Sequence, residues 1–296
     1  MRSSGFFKNA TAQQPTTVIP EDKSLVYTSP DGHTMLWKTV LDQRLVALKT
    51  LQPGVRTDSL YLGRLRREYE IGINLKHPGI CETLGWIADC GEGPGIIMEW
   101  IEGDTLESLL SSTPSLPYRK IASELCEAVA YLHHKQVIHK DLKPSNILIT
   151  RRGKNVKIID FGLSDSDSII TGKEPAGTLD YAAPEVVAGG SADERSDIYS
   201  LGVILHRLST DYFRIAASCC SESPEKRPSS AEAILTAIQK DKGHRRPSWL
   251  YIVITALIVG VLVWALIKPG KDEVKELFEE AVQMTLNAGA TESSEV

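Results

Sequence analysis

The chain has few cysteines, and none of their spacings forms a CxxC metal knuckle or a paired framework. Cys81, Cys90, Cys126, Cys219 and Cys220 therefore read as reduced thiols in a reducing compartment, with adjacent Cys219 and Cys220 as a buried or half-buried helix pair. A basic excess is also missing. Lys and Arg number 33 against 38 Asp and Glu, a net charge of -5, which argues against a nucleic-acid partner. Met1 to Ala12 lacks an apolar core long enough for a signal peptide. No internal repeat is visible. His133 and His134 are neighbours on a predicted helix and point apart, so they read as satisfied histidines rather than a metal pair.

One long apolar run is present: WLYIVITALIVGVLVWALI, Trp249 to Ile267, 19 residues without a charge. At about 1.5 Å per residue it spans roughly 28 Å, close to the hydrocarbon thickness of a bilayer. Trp249, Tyr251 and Trp264 stand near its ends, as interfacial aromatics do. The run predicts one transmembrane helix over 249–267, preceded by a juxtamembrane linker over 243–248. Lys240, Lys242, Arg245 and Arg246 precede the run and Lys268, Lys271 and Lys275 follow it, a slight bias that places the preceding domain inside. The tail, 268–296, repeats Val274, Leu277, Phe278, Ala281 and Val282 at helical spacing but is too small for a core of its own. Ala256 and Gly260 form a small-xxx-small pair, which favours a homodimer. At the other end, residues 1–23 mix Ser, Thr, Gln and Pro without periodicity and read as a flexible lead-in.

Between these ends the pattern runs from strands through one helix and more strands to mostly helix. Leu45 to Leu48 is a short apolar strand ending in Lys49. Thr57 or Asp58 caps a helix reaching about Leu75, with Tyr61, Leu65, Glu68, Gly72 and Leu75 on one face. Residues 96–101 read as a buried strand, 121–133 as an amphipathic helix, and 156–159 as a strand that delivers Asp160. Four motifs sit on this frame: VALKT around Lys49, HKDLKPSN from His139 to Asn146, DFG from Asp160 to Gly162, and APE from Ala183 to Glu185. They supply two acids, a lysine and an amide where a metal-bound triphosphate and a hydroxyl nucleophile can meet.

In this order the motifs resemble the signature set of protein kinases, and over roughly residues 24 to 242 the chain is similar to the eukaryotic-like (Hanks-type) Ser/Thr protein kinases of bacteria. The resemblance implies an α+β, two-lobed fold. A small antiparallel β-sheet lobe would occupy 24–101 and a helical lobe 102–242, shortened after 205, with a cleft between them and the transmembrane helix after them. It implies ATP and Mg²⁺ as cofactors, protein Ser/Thr hydroxyls as acceptors, and site residues with defined roles. Lys49, paired to Glu68, holds the α- and β-phosphates. Asp141 is the catalytic base and Lys143 neutralises the transferring phosphoryl. Asn146 and Asp160 offer hard oxygens to the metal. Backbone groups of Glu99 and Ile101 meet the adenine, which Leu36, Ala47 and Leu148 sandwich. Thr178 bonds Asp141 and Lys143, and Glu185 pairs with Arg227. Asp197 and Gly202 lie on the helix that anchors the catalytic loop. Ser164, Ser166, Ser168 and Thr171 are candidate autophosphorylation sites, Thr171 first. An ATP-using domain belongs on the cytoplasmic side, so the expected protein is a single-pass cell-membrane kinase that phosphorylates proteins and itself.

Four departures support the alternative of a weak or inactive pseudokinase acting as a nucleotide-binding scaffold. SPDGHTMLW offers only Gly32 where the family uses GxGxxGxV, which restricts the approach of amides to phosphates. Lys140 stands in place of an Arg before Asp141, so a loop phosphate matters less or acts through Arg66 or Arg67. Gly72 stands one turn after Glu68 in place of an apolar side chain, which predicts a helix that swings easily. Only 25 residues separate Gly202 from Arg227, about half the usual stretch, so a docking helix for substrates is expected to be missing or stunted.

Overall fold

The computed structural model describes residues 16–17, 22–29, 32–112, 115–161, 179–240, 257–261, 275, 278–280 and 282–283. The chain divides into two units, Met1–Lys242 and Gly243–Val296.

The first unit opens with a six-stranded sheet in the order β1-β5-β6-β4-β3-β2, built from β1 (Thr16–Thr17), β2 (Lys23–Thr28), β3 (Thr34–Leu41), β4 (Arg44–Leu51), β5 (Thr83–Asp89) and β6 (Gly95–Glu99). All neighbours are antiparallel except β1, which lies parallel to β5. β3 and β4 are joined through Asp42 and Gln43, both at positive φ (46° and 64°). Two successive left-handed residues match the twist of a tight hairpin, here without the usual glycine. Alternation splits β4 between two cores. Val46 and Leu48 face Leu41, Leu84, Ile87, Cys90 and Ile97. On the opposite face, Leu51 and Ile96 meet Leu65 of the helix α1 (Ser59–Gly72).

Asp58 caps α1, its carboxylate accepting from the Leu60 amide at 2.8 Å. The helix ends at Gly72 and not near Leu75. Asn74 turns its side-chain amide back onto the Glu70 carbonyl (2.8 Å), and the Asn74 and Leu75 amides donate three residues back to Ile71 and Gly72. The last turn is therefore tightened and the helix stops before His77 and Pro78. β6 likewise stops at Glu99, the last residue paired with β4, and the segment after it crosses to the second lobe.

That lobe carries a small sheet, β7 (Gly103–Thr105), β8 (Ile147–Thr150) and β9 (Val156–Ile158), and helices α2 (Leu106–Ser112), α3 (Tyr118–His134), α4 (Pro184–Val187), α5 (Glu194–Leu208), α6 (Phe213–Cys219) and α7 (Ala231–Lys240). α3 buries Ile121, Leu125, Val129 and Leu132 at helical spacing. It packs against α5 and α7, and α5 packs against α6. After α5 a 3-10 turn (Thr210–Tyr212) leads directly into the seven-residue α6. Gly202 allows this close arrangement, because a Cβ there would lie 2.4 Å from the Cβ of Cys219. All five cysteines are free thiols, four of them buried and Cys220 half-buried.

In the second unit, residues 257–261 are helical. Among the described residues no helix is long and apolar enough to cross a membrane, so the transmembrane helix expected over 249–267 is not shown, and most of that run lies outside the described residues.

Candidate active site

Lys49 sits at the sheet face that α1 covers. Register places Leu36 of β3 and Ile96 of β6 opposite it, and Ala47, two residues earlier, opposite Met98. Leu36, Ala47 and Lys49 therefore share one face. The Lys49 ammonium donates to both carboxylate oxygens of Glu68 (2.7 and 2.8 Å) and to Oδ1 of Asp160 (3.0 Å). Lys49 and Glu68 are nearly sealed from water, whereas Asp160 is 44% exposed. Burial alone would lower the Lys49 pKa, but the charges of Asp160 and Glu68 and their hydrogen bonds raise it, so the ammonium stays charged. Burial pushes the Glu68 carboxyl upward, and Lys49 and the Phe161 backbone N–H oppose that push.

Asp160 adopts a left-handed backbone conformation, φ 67°, as does Lys140, φ 66°. For residues with a Cβ this is a strained region, retained where the surroundings over-determine it. At Lys140 the surroundings are the carboxylate of Asp197, only 1% exposed in α5. It accepts from the backbone amides of His139 (2.8 Å) and Lys140 (3.0 Å) and contacts Nε2 of His133 (3.0 Å). His133 is thus a buried, bonded histidine, and His134 points away to Glu232 at 2.7 Å, as their adjacency predicts. Among the described residues no His, Cys, Asp and Glu group is arranged to hold a metal by itself.

The loop after Lys140 brings three predicted residues together. Oδ2 of Asp141 accepts from the Asn146 side-chain amide at 2.9 Å and from the Lys143 ammonium at 2.8 Å. The Asn146 amide also reaches the Asp141 carbonyl (2.9 Å). With its nitrogen so committed, Asn146 keeps its carbonyl oxygen for another partner. The Ile159 amide donates to the backbone carbonyl of Asn146 (3.0 Å), which ties this loop to the strand end that presents Asp160.

Above Lys49, the β2–β3 hairpin is closed on itself. The Gly32 amide donates to the Ser29 carbonyl (2.9 Å), and the His33 and Thr34 amides both donate to Ser29 Oγ (3.2 and 2.9 Å). The described amides of the hairpin are therefore already satisfied. His33 also meets the Tyr61 hydroxyl of α1 at 2.9 Å, fastening the hairpin to the helix that carries Glu68. At the crossing between lobes, the Glu99 amide donates to the Glu82 carbonyl (2.9 Å), and the Cys81 thiol makes a long contact, 4.0 Å, to the Glu99 carbonyl. The Glu99 side chain points to Lys157 of β9 at 2.5 Å. Burial pushes the Cys81 thiol up to about 12, so it is protonated and unreactive. Ile101 follows in the same crossing, and Leu148 lies on β8 directly after the catalytic loop.

Glu185 and Arg227 form the predicted pair, with two parallel bonds of 2.7 Å. The fully buried guanidinium also donates to the carbonyls of Ser221 and Arg195, 2.9 Å each. Arg66 is held on the outer side of α1 by Glu70 (3.0 Å) and lies over the Trp86 ring at 4.9 Å. Gly162, Ser164, Ser166, Ser168, Thr171 and Thr178 lie outside the described residues. Three features gave no signal in the sequence: the Ser29 cap, the Thr83 contact to Gly72, and a junction of Arg207, Glu107 and Tyr181. The first is a local turn. The others join residues too far apart in the chain for spacing to reveal.

Residues 31–285 match the protein kinase domain family. The serine/threonine-protein kinase PrkC of Bacillus subtilis is 32% identical over 239 residues, covering 72% of this chain and 36% of that protein. The serine/threonine-protein kinase PknB of Mycobacterium tuberculosis is 35% identical over 182 residues, covering 56% of this chain and 28% of that protein. PknB of Mycobacterium leprae is 34% identical over 177 residues, with similar coverage, 56% and 28%. The chain thus spans about a third or less of the length of these curated relatives. With the Lys49–Glu68–Asp160 array and the Asp141 loop arranged as described, the chain belongs to the protein kinase domain family.

Proposed function

We propose that this chain is an ATP- and Mg²⁺-dependent Ser/Thr protein kinase that transfers the γ-phosphoryl of ATP to protein hydroxyls, including its own. The observation that carries the reading is the charged array at the lobe junction. Lys49 is fixed by Glu68 and touches Asp160, while Asp141, Lys143 and Asn146 are locked together one loop away. Phosphoryl transfer is mostly positioning and charge neutralisation, and these groups supply both.

Asn146 and Asp160 offer an amide oxygen and a carboxylate, hard donors that suit Mg²⁺. A Mg²⁺ ion held by Asn146 and Asp160 would supply positive charge to offset that of the phosphates. Lys49 holds the α- and β-phosphates and Lys143 faces the transferring group. Asp141 accepts the proton of the incoming Ser or Thr hydroxyl as its oxygen bonds to the γ-phosphorus and ADP leaves. The Glu99 carbonyl accepts from the adenine amino group, Ile101 supplies backbone contact, and Leu36, Ala47 and Leu148 supply apolar walls. The sequence GTLDYAAPE around Thr178, with DLKPSN, favours Ser/Thr over Tyr as acceptor.

The same reading places the protein at a cell membrane, with residues 249–267 spanning the bilayer once, the kinase unit cytoplasmic, and Ala256 and Gly260 on a homodimer contact. Its support is the uncharged run and the exposure of Leu257, Ile258, Val259 and Val261, each more than half exposed. A second reading, a nucleotide-binding scaffold without turnover, is favoured by the self-capped Ser29 hairpin. Full-length protein in detergent with Mg²⁺ and radiolabelled ATP separates the two. Label recovered as phospho-Ser or phospho-Thr marks a kinase. Nucleotide-dependent thermal stabilisation without label marks a scaffold. Flotation with vesicles, lost on deleting 249–267, tests the anchor.

A further inference from the structure

Arg207, the penultimate residue of α5, joins three elements. Its guanidinium donates to both carboxylate oxygens of Glu107 on α2 (2.8 and 2.9 Å) and to the hydroxyl of Tyr181, over whose ring it lies at 5.8 Å. Tyr181 is buried in the turn Leu179–Tyr181 just before APE, its carbonyl fixed by Ser200 Oγ at 2.8 Å. α2 packs against the Pro144–Asn146 end of the catalytic loop, and α5 holds the His139–Lys140 end through Asp197. The junction therefore closes the space between the two helices that frame Asp141. Asp197 holds the Lys140 amide, one residue before Asp141, and lies ten residues along α5 from Arg207, about 15 Å, which an extended peptide covers in about five residues.

Neither partner is hidden: the Arg207 and Glu107 side chains are 36% and 43% exposed. Their charges are not equivalent towards an incoming chain. A guanidinium carries five N–H donors in a planar fork and is permanently charged. Glu107 and Tyr181 take three, so two remain. Glu107 is already neutralised, and a lysine arriving there must compete with a two-bonded arginine and meets its repulsion. A carboxylate can use the remaining donors.

We infer that Arg207 is a specificity-determining residue that favours substrates with an acidic side chain within about five residues of the acceptor hydroxyl. The inference rests on the kinase reading above and names its substrate class. The simplest competing role is a structural tie closing the lobe after its shortened helix.

The test uses full-length protein in detergent and Ser/Thr acceptor peptides. Each peptide is alanine elsewhere and carries Asp, Lys or Ala at one position up to five residues on either side. At one position or more, the Asp peptide should surpass the Lys peptide by about tenfold in kcat/KM, the difference lying in KM. The double exchange R207E with E107R keeps an ion pair but reverses the charge held by α5, and should invert the ranking. R207Q should flatten it, and serves if the exchange does not fold. A ranking that persists in a folded exchange or in R207Q makes the junction a structural tie and overturns the inference. Equal labelling of Asp and Lys peptides by the wild type overturns it while leaving the kinase reading intact. No labelling of any peptide or of the chain itself overturns both.

Discussion

Gly72 lies so close to Thr83 that a Cβ on residue 72 would fall 2.3 Å from Thr83 Oγ1. A glycine one turn after Glu68 reads in the sequence as a gap that loosens α1. The gap is closed instead by approach: β5 brings the buried Thr83, which faces Met98 in the sheet, against the end of the helix. The missing side chain is what lets α1 seat with Glu68 on Lys49.

Gly72→Ala should therefore displace α1 and weaken the Lys49–Glu68 pair, although alanine favours a helix by up to about 1 kcal/mol. Phosphorylation should fall at least tenfold. Adding Thr83→Ala removes the clashing hydroxyl and should recover much of the loss. Kinetics of the two single variants and the double variant check this. Equal activity of Gly72→Ala and wild type would show that the helix does not need the approach.

Ser29→Ala should tighten nucleotide binding, because it releases the His33 and Thr34 amides that Ser29 Oγ now occupies. The expected gain is several-fold in the affinity for ATP, with a fall of about 4–8 °C in melting temperature, since the two part-buried bonds lost are worth about 1 kcal/mol each. Weaker binding in Ser29→Ala would mean that the capped hairpin is itself the binding conformation.

The Glu185–Arg227 pair gives a signed pH dependence. Burial alone would raise the Glu185 carboxyl, but the Arg227 hydrogen bonds and charge, with the Ser196 hydroxyl, hold it below its ordinary 4.5. The unfolded chain then binds the proton more tightly. The stabilisation is complete above about pH 4.5 and drains away as pH falls through the depressed value. Denaturation between pH 3 and 7 should show a steeper acid loss for wild type than for Glu185→Gln. Arg227→Ala should be worse than either, at about 3–5 kcal/mol, because it strands a partly buried carboxylate.

Much of the architecture was legible because the chemistry is local. HKDLKPSN holds Asp141, Lys143 and Asn146 within six residues, and all three touch or share a partner. Lys49 closing an apolar strand implies a buried partner; the family resemblance, not the local pattern, names Glu68, and the two are paired. Element ends were less legible: α1 stops at Gly72 because the Asn74 side chain competes for the Glu70 carbonyl, a choice the apolar periodicity does not encode. Arg207 and Glu107 are 100 residues apart, and only the folded chain brings them together.

The central claim is turnover at Asp141. The most direct measurement is the incorporation of radiolabel from ATP by the full-length chain with Mg²⁺, beside Asp141→Asn and Lys49→Met. Label on wild type alone, as phospho-Ser or phospho-Thr, with nucleotide still stabilising Asp141→Asn against heat, is the predicted result. Undiminished label on Asp141→Asn would contradict the account.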